Sequence, residues 1–295
     1  MMLTYDRFTA DFREEVIIEM LQEMGLLSSS CTCDCGYQMT AVKCADHCGE
    51  IIFRCPSCWR KKSARPGTFF ARSRLKLRQV MMIVSNRVIK TPVTLSAAFA
   101  DVSETSAVQW YEYCRSICTT KTTSIHQSFG GVGCIVEIDE TVVRKIKYNR
   151  RRSVKEDWVF GIYERSTRKG HFQMVTNRQV ITIIPIIQEY VMPGTTIYMD
   201  DWRAYRCLQR LGYVHHVVVH KRHFVDPTTG VHTNNIEAMW SRLKEFSRPY
   251  HGSKGRLLWS HMDKFLYRMQ YDFKTSESLS NLSKFLNHIK EVYPL

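Results

Sequence analysis

The sequence predicts an α/β fold between about residue 129 and residue 250. Short runs of β-branched residues alternate there with helical patterns, turn residues separate the two, and acidic residues end two of the apolar runs. The predicted elements are three strands at 133–141, 158–164 and 171–177, a helix at 179–190, a strand at 196–199, a helix at 202–211 and a strand at 215–220. This order is typical of a sheet covered by helices.

Composition limits the class of partner. The chain has 295 residues, of which 44% are hydrophobic, and a formal net charge of +14, so a polyanion is the expected partner. Nucleic acid is the first candidate and an anionic membrane surface the second. No apolar run approaches the roughly 18 residues of a membrane span, and the N-terminus is acidic and polar where a signal peptide is basic and then apolar. A soluble intracellular protein without a membrane partner is expected.

Shifts in composition divide the chain into five segments. The predicted boundaries are an N-terminal helix at 1–27, a zinc ribbon at 28–70, a helix-turn-helix-like segment at 71–128, the α/β domain at 129–250 and C-terminal helices at 251–295.

The cysteines indicate a metal site. Seven of the eleven lie between Cys31 and Cys58, and such clustering points to metal rather than to a disulfide framework. The knuckle Cys55-Pro-Ser-Cys58 faces a second pair about twenty residues earlier, for which Cys33 and Cys35 are selected, as four thiolates fix Zn²⁺ tetrahedrally. Four ligands remain as alternatives or as holders of a second ion: Cys31, Cys44, His47 and Cys48. Free reduced cysteines are the structural alternative.

The segment after the cysteines resembles a DNA-binding unit. The chain turns basic from Arg60 onward, and a short helix at 95–100 is followed by a turn and a second helix at 104–117. This length pattern is that of a helix-turn-helix, whose second helix enters the major groove. A small helical bundle gives the same pattern.

Three acids in the α/β region suggest a divalent-metal site. Asp139 and Asp200 are predicted to end strands and Glu237 to lie on a helix, and carboxylates converging from different elements suit Mg²⁺ or Mn²⁺. Each acid also has a structural explanation: a strand end, a helix cap, and a capping box of Glu237 with Asn234. Lys244 follows Glu237 by seven residues and therefore shares its helix face.

A basic run follows the Asp139 strand. It includes Lys147, Arg150, Arg151 and Arg152, and beside an acidic site such a run is suited to a phosphate backbone. A solvated loop is the alternative.

The ordered motifs VEIDET, YNRRR, WVFGIYER, PGTTIYMDDWRAY, LGYVHHVVVH and FVDPTTGVHTNNIEAMWSRLK resemble a known family. Over about residues 130–250 the chain is similar to the DDE transposase domain of Merlin-type elements and bacterial insertion sequences, the ISXO2-like transposase domain. The resemblance implies an RNase H-like fold and assigns the catalytic, metal-binding roles to Asp139, Asp200 and Glu237. It also implies that Lys244 contacts DNA near the cut.

Two positions depart from the family pattern. Asp201 stands where a small or variable residue is usual, so the choice of Asp200 depends on its register with Trp202, and the first cysteine pair is not a plain CxxC.

The resemblance implies a transposase that uses Mg²⁺ or Mn²⁺, with structural Zn²⁺, to nick transposon ends and join the 3′-hydroxyl to target DNA. Its partners would be terminal inverted repeats, target DNA and further copies of the chain. It would act in the nucleus of a eukaryotic host, and otherwise in the cytoplasm or nucleoid. The main alternative is a host-retained, non-catalytic DNA-binding protein, and a nuclease on the same fold is a third.

Overall fold

The structure, a computed structural model, describes residues 13–43, 51–71, 73–125, 127–144, 156–200, 203–218, 225, 227, 229–250 and 255–295. The chain forms two compact units, Met1–Lys121 with Phe273–Leu295, and Thr122–Asp272. Each unit is described by itself below. Among the described helices, none combines the length and the apolar composition that a membrane crossing requires.

The helices are α1 (Glu14–Glu23), α2 (Leu77–Val88), α3 (Val93–Ala100), α4 (Glu104–Ser124), α5 (Val180–Tyr190), α6 (Asn234–Ser247), α7 (Gly255–Gln270) and α8 (Ser278–Val292). The strands are β1 (Thr40–Lys43), β2 (Ile51–Arg54), β3 (Lys61–Ser63), β4 (Phe129–Gly130), β5 (Ile135–Arg144), β6 (Asp157–Glu164), β7 (Gly170–Val175), β8 (Val191–Met192), β9 (Thr196–Asp200) and β10 (Val214–Val218). Two 3₁₀ helices span Arg203–Leu211 and Arg248–Tyr250.

The first unit combines a small sheet with helices. Strands β1, β2 and β3 form a three-stranded antiparallel sheet in that order. The carboxylate of Glu14 accepts hydrogen bonds from the backbone N–H groups of Leu77 (2.7 Å) and Arg78 (3.1 Å), so α1 caps the N-terminus of α2. A helix N-terminus has unsatisfied N–H groups and a positive partial charge, which an acidic side chain satisfies.

Helices α3 and α4 lie where the sequence predicts two helices and a turn. The turn begins at Asp101, which has a left-handed φ of 52°. The hydroxyl oxygen of Ser103 then accepts a hydrogen bond from the backbone N–H of Ser106 at the start of α4. Helix α4 continues past the predicted end at Ile117 to Ser124. Its buried residues Ala107, Tyr111, Cys114, Cys118 and Thr122 recur every three or four positions, and burial of this stripe supports the longer helix.

The second unit contains a five-stranded sheet in the order β10-β9-β5-β6-β7. Strands β5, β6 and β7 form an antiparallel meander, whereas β9 runs parallel to β5 and β10 parallel to β9. The mixed sheet confirms the predicted α/β fold class. A separate two-stranded pair joins β4 and β8.

Strand β5 is central and separates two hydrophobic cores. Val136 and Ile138 belong to a core that includes Ile183 and Ile187 of α5, and the other face of the sheet packs on α6 and α7 through Trp240 and Met262. Alternate residues of a strand face opposite sides, so Glu137 and Asp139 point away from the α5 core.

Two predicted elements differ in detail. Asp139 was expected at the end of a strand but lies inside β5, because β5 pairs with β6 as far as Arg144. The predicted helix at 202–211 is a 3₁₀ helix from Arg203.

Candidate functional site

Four cysteines of the first unit form a compact cluster. The Sγ atoms of Cys33, Cys35, Cys55 and Cys58 all lie within 4.8 Å of one another. Cys33 Sγ is 3.4 Å from Cys58 Sγ, and Cys35 Sγ is 3.4 Å from Cys55 Sγ. A tetrahedral Zn²⁺ with Zn–S bonds of about 2.3 Å places its sulfurs roughly 3.8 Å apart, so the donor set and its size fit this ion.

Local backbone geometry supports the cluster. The backbone N–H of Cys58 donates to Cys55 Sγ at 3.4 Å. This hydrogen bond is the main cause that lowers the pKa of Cys55 to about 6. A lowered pKa favours the thiolate that binds metal. Asp34, between the first two cysteines, accepts from Lys62 at 2.7 Å and from Arg60 at 3.3 Å, which ties the two cysteine loops together.

The other proposed zinc ligands either do not belong to this cysteine cluster or lie outside the described residues. Cys31 is not a member of the group, and its thiol donates to the carbonyl oxygen of Thr32. Cys44, His47 and Cys48 lie outside the described residues. The four cysteines selected from the sequence are therefore close enough to hold a metal such as zinc.

Strand register brings Asp139 and Asp200 to adjacent positions. Glu137 on β5 is paired with Tyr198 on β9, and each acid lies two residues further along its own strand. Residues two apart share a face, and neighbouring strands are about 4.8 Å apart. Both acids therefore leave the same face of the sheet, where the pairing of β5 with β9 ends.

Glu137 places helix α6 over this face. Its fully buried carboxylate accepts the backbone N–H groups of Asn235 (3.0 Å) and Ile236 (2.9 Å), and the Asn235 side-chain amide donates to it at 2.7 Å. Thr233, the residue before α6, makes no side-chain cap of its own. An acid from the central strand thus satisfies the helix N-terminus just before Glu237.

A second contact joins the same two elements. The indole N–H of Trp240 donates to Asp139 Oδ2 at 2.9 Å, and Gly161, paired with Asp139 across β6, leaves space for the indole. Glu237 lies between the Glu137 contact and the Trp240 contact along α6, and the Thr233 hydroxyl donates to its Oε1 at 3.3 Å. The capping box of Glu237 with Asn234, considered from the sequence, is not formed, because the helix begins at Asn234 and the residue that precedes it is Thr233.

The electrostatics of Asp139 show that the three acids influence one another. The pKa of Asp139 is raised from 3.8 to about 6, first by burial and also by the negative charges of Asp200 and Glu237. The Trp240 hydrogen bond acts in the opposite direction. A raised carboxyl pKa means that the site favours added positive charge, whether a proton or a cation.

The carboxylates are less tightly grouped than the thiols. Across the described residues, only the cysteine group brings three or more potential ligand atoms together closely enough to hold an ion.

The predicted DNA contacts are described only in part. Lys244 lies on α6, where its side chain is exposed, seven residues beyond Glu237. Lys147, Arg150, Arg151 and Arg152 lie outside the described residues, as do Asp201 and Trp202.

Sequence reasoning missed Glu137 and Trp240. Glu137 sits inside an apolar run two residues before Asp139, and a charged residue in a buried strand requires a partner, so this signal was available. Trp240 shares a helix face with Glu237, which was a weaker signal because an aromatic residue there usually belongs to the core.

Comparisons with known proteins bear on the second unit. Residues 131–270 match the model of the ISXO2-like transposase domain family. The chain is 28% identical over 115 residues to an uncharacterised transposase-like protein of Haemophilus influenzae, a match that covers 39% of this chain and 89% of that protein.

Solved structures with partial similarity include two viral proteins. The catalytic core domain of BIV integrase aligns with a TM-score of 0.31 and 13% identity, over 45% of this chain and 80% of that one. The simian T-cell lymphotropic virus intasome in complex with PP2A regulatory subunit B56 gamma aligns with a TM-score of 0.32 and 14% identity, over 63% of this chain and 67% of that one. The match to the ISXO2-like transposase domain family begins just before β5 and ends with α7, so it spans nearly the whole of the second unit.

Proposed function

We propose that the protein is a DNA transposase that uses Mg²⁺ or Mn²⁺ to cleave transposon ends and transfer the freed strand to target DNA. One observation carries the proposal: Asp139 on the central strand lies close enough to Asp200 of β9 and Glu237 of α6 that their charges add to burial, the main cause, in raising its pKa. Three acids that come from three different elements suit divalent metal binding. The family match over residues 131–270 supports the same reaction class.

Asp139, Asp200 and Glu237 are the residues that would hold the metal. Bound divalent ions would supply Lewis-acid activation of the attacking water or 3′-hydroxyl and would stabilise the leaving oxygen. Trp240 holds one oxygen of Asp139 and thereby orients this carboxylate, while Glu137 holds the first turn of α6 and thereby orients Glu237.

DNA would follow the basic surfaces. Lys244, exposed beyond Glu237, is proposed to contact a phosphate near the cut, and Lys147, Arg150, Arg151 and Arg152 to contact the backbone further away. The zinc-ribbon cysteines and the α3–α4 pair would recognise the terminal inverted repeats. A homo-oligomer would hold two DNA ends together. The protein would work in the nucleus of a eukaryotic host, or otherwise in the cytoplasm or nucleoid.

The test is cleavage and strand transfer on labelled duplexes made from the DNA that flanks the gene for this chain. Wild-type protein is expected to cut and join with Mg²⁺ or Mn²⁺ and to do neither in EDTA. Asp139→Asn and Glu237→Gln should abolish both steps and leave DNA binding intact, because each removes one carboxylate charge at nearly constant shape.

Glu245→Gln is the matched control. Glu245 is an exposed acid on the same helix as Glu237, outside the proposed site, so its loss should leave cleavage unchanged. Wild-type protein that binds the duplex but cuts nothing with either metal would instead support the non-catalytic DNA-binding alternative.

A further inference from the structure

Arg165, the residue after β6, contacts segments of all three elements that carry the proposed metal ligands. Its Nε donates to Glu137 Oε1 on β5 at 2.6 Å. Its Nη2 lies 2.7 Å from the carbonyl oxygen of His232 and 2.9 Å from His232 Nδ1, just before α6. Its Cζ lies 4.6 Å from the centre of the Tyr198 ring on β9.

The contacted residues are close in sequence to the acids. Glu137 precedes Asp139 by two residues and Tyr198 precedes Asp200 by two, so on each strand the contact and the acid share a face. On the third element, Glu137 itself holds the N–H groups of Asn235 and Ile236, which immediately precede Glu237. A movement of Arg165 would therefore be transmitted to all three carboxylates.

Only a guanidinium satisfies these contacts together. Its Nε donates to Glu137, its Nη2 donates to the His232 carbonyl, and its flat face covers the Tyr198 ring. A lysine ammonium keeps the charge but has neither the planar face nor two donors at this fixed spacing. Arg165→Lys therefore removes the geometry and leaves a cation near the fully buried Glu137.

We propose that Arg165 is a positioning residue that fixes the spacing of Asp139, Asp200 and Glu237 for metal binding. This inference depends on the proposed metal-dependent function for its purpose, but the positioning itself is a property of the metal-free protein. Residues around a metal site that orient its ligands typically change metal affinity by about 10–100-fold when substituted.

Trp240 is the reporter for the test, since its indole N–H donates to Asp139. In protein labelled with ¹⁵N-tryptophan, the Trp240 signal is assigned by its loss in Trp240→Phe. Arg165→Lys should shift this signal and speed its hydrogen exchange without metal, while the melting temperature and the other indole signals stay close to wild type. Mn²⁺ should broaden the Trp240 signal in both proteins, but at an Mn²⁺ concentration at least about tenfold higher in Arg165→Lys.

Two further variants make the result specific. Tyr198→Leu, which removes the ring under the guanidinium, should weaken Mn²⁺ binding in the same direction. Arg178→Lys is the control, because it changes the same type of contact elsewhere in the same unit: Arg178 Cζ lies 4.0 Å from the Trp158 ring centre. It should leave the Trp240 signal and its Mn²⁺ response unchanged.

The outcomes separate the two proposals. An unchanged Trp240 signal, exchange rate and Mn²⁺ response in Arg165→Lys would overturn the positioning role. A wild-type Trp240 signal that Mn²⁺ does not broaden would count against the metal site, whereas a metal-free change in Arg165→Lys would still support positioning.

Discussion

The indole N–H of Trp240 donates a 2.9 Å hydrogen bond to Oδ2 of Asp139. Trp240 lies on α6 about one turn beyond Glu237, and Asp139 lies inside β5, so the bond links two elements that carry proposed metal ligands. The indole has room because Gly161, opposite Asp139 on β6, has no side chain. This three-residue arrangement makes several properties of the site testable.

Gly161→Ala should disturb the site by displacing the indole. A Cβ at this position would lie 2.3 Å from Cη2 and 2.4 Å from Cζ2 of Trp240, closer than any real contact of this kind. Overpacking of a well-filled core typically costs about 1–3 kcal/mol, and we expect the free energy of unfolding to fall by that amount in urea denaturation. Mn²⁺ binding should weaken as well, since Asp139 loses its partner.

A double-mutant cycle checks the cause. In a Trp240→Leu background the clashing ring atoms are absent, so adding Gly161→Ala should cost much less than it does in wild type. An equal cost in both backgrounds would show that the alanine disturbs something other than the indole.

Trp240→Phe should raise the pKa of Asp139 above its wild-type value of about 6, because the indole hydrogen bond is the leading influence that lowers it. The pKa is measured by carboxyl ¹³C NMR, and the pH needed for half-maximal Mn²⁺ binding should rise with it. Trp259→Phe is the matched control, since Trp259 packs against the same core on α7. An unchanged pKa in Trp240→Phe would contradict the assigned role of the indole.

The sequence predicted most elements of the second unit because their signals are local. Alternation and turn residues located β6, β7, α5 and β9 to within a few residues. The full length of β5 was not predictable, since its last residues, Val142–Arg144, show no alternation of apolar and polar residues and belong to the strand because they pair with β6. Long-range pairing decides such strand ends, and local propensity does not.

The candidate site was predictable to a similar extent. The acids and the four cysteines stand out by residue type and spacing, and the structure brings the cysteines within 4.8 Å. The residues that hold Asp139 and Glu237 in place were not found, because Glu137, Trp240 and Arg165 act through contacts between elements far apart in sequence. Only folding reveals which partner a buried charge has.

Asp139→Asn should stabilise the folded protein at neutral pH in the absence of metal. The folded-state pKa of about 6 exceeds the ordinary value of 3.8, so between these pH values the folded state binds the proton more readily than the unfolded state. The contribution of Asp139 to the free energy of unfolding is therefore most favourable below pH 3.8, and this contribution is lost as the pH rises through about 6. A shift of about two pKa units corresponds to at most about 3 kcal/mol.

The measurement is urea denaturation in EDTA at several pH values. The introduced asparagine carries no charge, so the variant should exceed wild type by up to about 3 kcal/mol at about pH 7 and lose this advantage near about pH 4. Glu245→Gln, which alters an exposed acid, should follow the wild-type pH dependence. Parallel curves for wild type and Asp139→Asn would mean that burial does not penalise the Asp139 charge.

Cys55→Ser and Cys31→Ser should differ in zinc content. Cys55 belongs to the group whose sulfurs lie within 4.8 Å, whereas the Cys31 thiol, two residues before Cys33, donates to the Thr32 carbonyl and stands outside it. Protein purified with zinc should release about one ion per chain to a chromogenic chelator, as a four-thiolate site requires. Cys55→Ser should lose that ion because three thiolates and a hydroxyl form a poorer site, and Cys31→Ser should retain it. Loss of zinc in Cys31→Ser with retention in Cys55→Ser would exchange the two cysteines as ligands, and release of about two ions from wild type would assign a second ion to the alternatives Cys44, His47 and Cys48.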